Sequence, residues 1–249
     1  MADMDDIKKW LELQPSRVKS NVDIIDNTEG RGPSLFHITY DKDPGRFIPV
    51  IGHRQGPEED RTVPRICVST SLVGTILGHS SFEYNSEYLN VKKKDQNGVL
   101  YRGGFYFFEF QYQVAIKPSE KLVSDQKVSD EHWLVTYNKN TVYYKPEMVG
   151  KVIATEFSTE IKKSENPRVK VTYYAQVDKK VQFSKNRTIG PGCYKVVSPA
   201  SHQLESWKDD EAIKVTKISE ADFEKIKKEV TVMESHQNSP RRPSIYQRW

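Results

Sequence analysis

Three short stretches of this chain place reactive side chains where a core would take aliphatic ones. "SLFHITY", at 34–40, carries His37 inside an apolar strand. "RICVSTS", at 65–71, ends in the hydroxyls of Ser69, Thr70 and Ser71, and "SDEHW", at 129–133, sets Glu131 at the opening of a further strand. An imidazole can hold or move a proton near neutral pH, a carboxylate can take one, and hydroxyls can orient a ligand. Each also has an ordinary structural use. A histidine on an apolar strand can be a hydrogen-bonded core residue, a Ser-Thr-Ser run can cap a helix, and a glutamate at a strand start can be a solvated charge.

Several other chemistries are excluded by what is missing. The chain has no Gly-rich phosphate loop, no His-Glu-x-x-His, no Cys-x-x-Cys and no Gly-x-Ser-x-Gly elbow. Cys67 lies between Ile66 and Val68 and reads as inert packing rather than a nucleophile, and Cys193 lies in a Gly-Pro turn. Two cysteines so spaced make neither a zinc site nor a disulfide framework, so reduced thiols are expected. Histidines at 37, 53, 79, 132, 202 and 236 have no ligand spacing, and no metal is expected.

With 249 residues, 36% of them hydrophobic and 11% aromatic, the chain can bury a core. The net charge of +4 comes from the end: the last fourteen residues carry three basic side chains and no acid, leaving 35 basic against 34 acidic residues before them. That balance does not point to nucleic acid. No apolar run approaches the ~20 residues of a membrane helix, and "MADMDDIKKW" lacks the features of a secretory signal, so a cytoplasmic protein with no membrane partner is expected.

The elements that would position these residues follow from periodicity. Ile7, Trp10, Leu11, Val18, Val22 and Ile25 recur at helical spacing, cut by Pro15, which predicts an N-terminal helical brace over 1–33. A sheet-rich core is expected over 34–200. Its strands are expected at 35–40, at 65–69, along the single run "FYFFEFQYQVAI" at 105–116, and at 132–137, 149–157, 169–177 and 194–198. The segment 41–64 is irregular and Pro-rich, a short helix capped by Ser69 or Thr70 should end near Gly78, and "VKKKDQNGV" signals a hairpin. Over 201–235 a C-terminal helix with Ser219 as N-cap and Phe223, Ile226 and Val230 as its stripe is expected to pack on the core. The tail, 236–249, is expected to be a flexible basic segment, with Ile245, Tyr246 and Trp249 as its anchors if a partner orders it. The fold class is therefore α+β, with a mixed or antiparallel sheet and few short helices.

In chain order, "LFHITY", "ICVSTSLVGTILGH" and "FYFFEFQYQVAI" followed by "VSDEHWLV" resemble the ADP-ribosyltransferase superfamily over about residues 34–160. In that family a first strand carries a histidine, a second a Tyr or Ser followed by a helix, and a later strand opens with an acid. The resemblance implies an NAD-dependent transferase, or a degenerate relative, that modifies a protein or nucleic acid, as bacterial and viral effectors do. It implies Glu131 and His37 as catalytic residues, the carboxylate acting on the acceptor and the imidazole anchoring the ribose. Thr39, Tyr40, Phe47, Arg54, Ser69 and Ser71 would surround the NAD, with Arg46 or Arg61 as further phosphate partners. Two positions depart from the pattern: Ile38 stands where the family has Gly, and Ser69 replaces a ring-stacking aromatic, a role left to Phe47 or Tyr40.

Two other readings stand beside it. One is a non-enzymatic interaction, inhibitor or structural protein, such as a phage encodes. The other is a single-stranded nucleic-acid binder that stacks bases on the aromatic strands "FYFFEFQY" and "VTYY". Oligomeric state is left open.

Overall fold

The alternation along the strand-like runs is realised as one ten-stranded sheet in which every neighbouring pair is antiparallel. The computed structural model describes residues 2–39, 41–51, 59–78, 105–124, 126–136, 146–160, 168–199 and 213–236. The strands are β1 (Val22–Asp26), β2 (Leu35–Thr39), β3 (Ile66–Ser69), β4 (Phe105–Phe110), β5 (Val114–Pro118), β6 (Glu131–Leu134), β7 (Pro146–Glu160), β8 (Arg168–Val177), β11 (Gly192–Pro199) and β12 (Lys214–Ile218). A separate hairpin is formed by β9 (Val181–Ser184) and β10 (Arg187–Ile189). The sheet order is β1-β5-β6-β3-β2-β4-β7-β8-β11-β12. The helices are α1 (Met4–Glu12), α2 (Ser16–Lys19), α3 (Leu72–Gly78), α4 (Gln126–Ser129) and α5 (Glu220–His236).

Both faces of the sheet are covered, which is why its central strands are apolar on both sides. On the front, α1 and α2 press Ile7, Trp10 and Val18 onto Val114, Ile116 and Trp133. Further along the same face, α3 and the β9–β10 hairpin cover Phe36, Ile38, Phe105 and Phe107. The back carries Leu35, Val68, Phe108, Phe110 and Leu134 in the middle, and α5 packs Phe223 on Ala154, Tyr174 and Cys193 at one end. Each fully buried large apolar side chain contributes about 1.5–3 kcal/mol of burial.

Caps explain where the helices begin. Asp3 and Asp6 form a capping box ahead of α1, and the Ser219 hydroxyl accepts from the Asp222 N–H while donating to its carboxylate ahead of α5. The helix α5 runs to His236, beyond the stripe that ends at Val230.

Several sequence expectations need correction. The run 105–116 is two strands on separate parts of the sheet, because the loop before β2 grips the chain between them. Asn27 binds the Tyr112 carbonyl with its side chain and the Gln113 carbonyl with its N–H, and the Tyr112 hydroxyl donates to the Pro33 carbonyl at 2.7 Å. Val22 and Ile25 belong to β1, paired with β5, so the N-terminal segment is part of the sheet as well as a brace on it. The β9–β10 hairpin and β12 were not foreseen. The hairpin signal near 91–99 and the tail residues 237–249 lie outside the described residues.

At Gly74 in α3 an added Cβ would collide with the Ser69 hydroxyl and the Ser129 carbonyl. Gly74→Ala is therefore expected to destabilise the protein by about 1–3 kcal/mol, the scale of overpacking a tight core contact. A urea midpoint unchanged from wild type would contradict this packing.

Candidate functional site

The strands carrying the three candidate residues are neighbours, in the order β6-β3-β2. Ser69 is paired with Phe36 on one side and with Glu131 on the other. Antiparallel partners share a face, so Phe36, Ser69 and Glu131 lie on the front and His37 starts from the back. Two strand spacings separate β2 from β6, about 10 Å.

The β2–β3 ladder consists of that one pair. Beyond it β3 continues on β6, through Cys67↔Trp133 and Ile66↔Leu134, while β2 continues on β4, through Ile38↔Phe107 and Thr39↔Tyr106. The sheet opens between them. His37 reaches across the opening, its Nδ1 lying 2.8 Å from the Cys67 carbonyl. A carbonyl only accepts, so Nδ1 carries the proton and, in the neutral ring, Nε2 is left as an acceptor. Burial pushes the imidazole below its usual value, with the Cys67 hydrogen bond opposing the shift.

His37 is half-buried and Cys67 is exposed, yet protein crowds both closely enough to move their titration. Cys67 is therefore not the buried packing residue its neighbours implied. Burial first, and then the Glu131 charge, push its thiol well above the usual range, while Arg65 works the other way.

The irregular segment packs on the back of the sheet beside His37. Phe47 packs edge-on against His37 with ring centroids 5.0 Å apart and also meets Phe110 at 5.2 Å. The Thr39 hydroxyl accepts from the Asp41 N–H, which turns the chain out of β2. Arg46 and Arg61 are exposed on this segment. Tyr40 and Arg54 lie outside the described residues.

The hydroxyl run divides its work. Ser69 is buried, donating to the Ser129 carbonyl at 2.6 Å and accepting from the Ser71 N–H at 3.4 Å. Thr70 donates to the Asp130 carboxylate, which also pairs with Lys117 at 2.9 Å. Burial works to raise the Asp130 carboxyl, but these two hydrogen bonds and the nearby His132 and Lys117 charges hold it below its usual value. The cap of α3 is Ser71, whose hydroxyl accepts from the Gly74 N–H at 3.0 Å, and not Ser69 or Thr70. All three thus brace the junction from which Glu131 emerges, and Asp130, at φ +44°, makes the turn into β6.

Glu131 is no solvated surface charge: its side chain is 14% exposed. The Trp133 indole donates to its Oε1 at 2.6 Å, and Arg65 Nε lies 3.8 Å from the same oxygen. Arg65 sits over the Trp133 ring, 4.5 Å from its centroid. Arg65 Nη1 donates to the carbonyls of Asp60 and Val63 at 3.0 and 3.2 Å. Arg65 and Trp133 were not singled out from the sequence. The only trace of them is a charge at the mouth of an apolar strand and an indole two residues past a glutamate.

The chain matches no protein-family model, no curated protein and no solved structure. Among the described residues no group of three or more His, Cys, Asp or Glu could hold a metal ion, and no helix is long and apolar enough to cross a membrane.

His132, buried on the back, is also pushed down by burial. A histidine whose folded value is depressed contributes stability that is fully present above its unfolded value of about 6.5 and is lost as pH falls toward the folded value. The urea midpoint is accordingly expected to fall between pH 7 and pH 5.5, and less so in His132→Asn. A midpoint that is flat over this range would contradict the assignment.

Proposed function

We propose that the opening between β2 and β3 is an NAD site, and that the chain is an ADP-ribosyltransferase or a degenerate relative built on an ADP-ribosyltransferase-like sheet. The observation that carries this is the split itself. The sheet parts at the point where Phe36, Ser69 and Glu131 lie side by side, and His37 is turned into the gap.

As substrate, NAD brings a glycosidic bond whose cleavage releases nicotinamide with the bonding electron pair. The residues of this chain bind and orient around that event. His37, held in one tautomer by Cys67, offers Nε2 to a ribose hydroxyl. Phe47 supplies an apolar wall beside it. The strand edges that part beyond Phe36 and Ser69 offer backbone groups to polar parts of the substrate. Glu131 takes the proton that the acceptor nucleophile loses as it bonds to the ribose carbon. Ser69 and Ser71 act at one remove, by bracing the strand end next to Glu131.

His37→Ala is expected to weaken NAD binding about threefold to tenfold, the value of one hydrogen bond, as read by titration calorimetry. Equal affinity in the two proteins would remove His37 from the site.

A second reading, a non-enzymatic binding protein, is favoured by one observation: Ile48, Val50 and Ile51 are 50%, 53% and 44% exposed on the segment that bridges to Arg65. It becomes the better account if the wild-type protein neither binds nor consumes NAD. The nucleic-acid reading loses its platform, because Phe105, Phe107, Phe108, Phe110, Tyr112, Tyr173 and Tyr174 are all buried.

A further inference from the structure

We propose that Arg65 is a positioning residue for Glu131, fixing with Trp133 the orientation in which the carboxylate meets the cleft. This rests on the reading of Glu131 as the carboxylate of an NAD site.

Arg65 has two edges, and they do different things. The Nη1 edge is committed to the fold, closing the turn 60–65 through the Asp60 and Val63 carbonyls. The Asp60 carboxylate is largely used within that turn, by the Thr62 hydroxyl and by the N–H groups of Thr62 and Val63, and it stands 3.8 Å from Nη1. The other edge, Nε, is buried and has no hydrogen-bond partner. Its neighbour is Glu131 Oε1 at 3.8 Å, slightly too far for a hydrogen bond and close enough for a small rotation of the carboxylate to make one.

A stapling arginine needs only the first edge. An unpartnered buried donor beside a carboxylate is costly for stability alone, and it is useful where that carboxylate must be held. Trp133 completes the arrangement, because its ring carries the guanidinium while its N–H binds the same oxygen that faces Nε. Two donors fixed relative to each other therefore converge on Oε1. Arg65 also joins the segment carrying Phe47 to the sheet, exchanging both backbone hydrogen bonds with Val50, at 2.9 and 3.2 Å. One residue thus references the wall and the carboxylate to each other.

The test reads the Trp133 indole N–H resonance in the free protein, assigned with Trp133→Phe, together with NAD kinetics. Arg65→Met is expected to move that resonance, and the movement should collapse in a Glu131→Gln background, as it must if Arg65 acts through the carboxylate. In the kinetic arm kcat should fall on the order of tenfold to a hundredfold, with KM for NAD within about twofold. Should Arg65→Met fail to fold, Arg65→Lys keeps the charge without the Nε edge and is expected to move both readouts in the same direction. A resonance that ignores Arg65, or moves equally with and without the Glu131 charge, would overturn the proposal. Wild-type protein that does not consume NAD would sink the reading of the cleft, while the resonance would still decide whether Arg65 holds Glu131.

Discussion

Glu131→Gln is expected to lower NAD turnover on the order of a hundredfold or more and to leave NAD affinity nearly unchanged, the scale of losing one positioned base. The amide keeps the size of the side chain, and its oxygen can still accept from the Trp133 indole, so the local packing is retained. What it loses is the charge that faces Arg65 and the capacity to take a proton. Turnover of labelled NAD, with affinity measured separately, distinguishes this from a binding defect. A variant as active as wild type would take the carboxylate out of the chemistry.

The second large effect concerns the scaffold. Trp133 is fully buried among Ile7, Trp10, Val18, Val114 and Ile116, where the N-terminal helices meet the sheet. Trp133→Ala is expected to cost about 3–5 kcal/mol, the transfer of a large aromatic plus the cavity it leaves. It also strips the ring from under a buried guanidinium. Domains of this kind have some 5–15 kcal/mol in all, so urea denaturation should show a protein close to its limit. A loss under 1 kcal/mol would mean that the brace is not held through this residue. Trp133→Phe, which keeps most of the ring, should lose much less.

What could be read from the sequence was whatever one strand or helix specifies for itself. Val169, Val171 and Tyr173 alternate, and they lie in β8; Ser219 and Asp222 have capping spacing, and they cap α5. Ambiguity began where two periods fit the same residues. Val22 and Ile25 are three apart, as in a helix, but Val22 and Ile24 are two apart, and pairing with β5 decides for a strand. The run 105–116 alternates almost without a break, and only contacts from Asn27 and Pro33, some eighty residues earlier, show where it divides.

The candidate site was legible in its parts and not in its arrangement. The chemical types at His37, Ser69 and Glu131 stood out, but alternation assigns His37 to one face and its two companions to the other. What turns His37 toward β3 is the loss of pairing after Phe36, a property of two strands together. The surroundings of Glu131 are less local still. Asp60, Arg65 and Trp133 meet because β3 and β6 are neighbours, and nothing in the spacing of 60, 65 and 133 announces it.

Cys67 gives the most direct test of the proposed NAD site, being exposed on β3 where that strand no longer pairs with β2, whereas Cys193 is buried. The measurement is the rate at which a thiol reagent alkylates Cys67, located by mass spectrometry, with and without saturating NAD. Bound NAD is predicted to slow the reaction by on the order of tenfold or more, in proportion to occupancy, and His37→Ala should require more NAD for the same protection. Alkylation at the same rate whether or not millimolar NAD is present would contradict the central claim, and the opening between β2 and β3 would then have to serve another ligand or none.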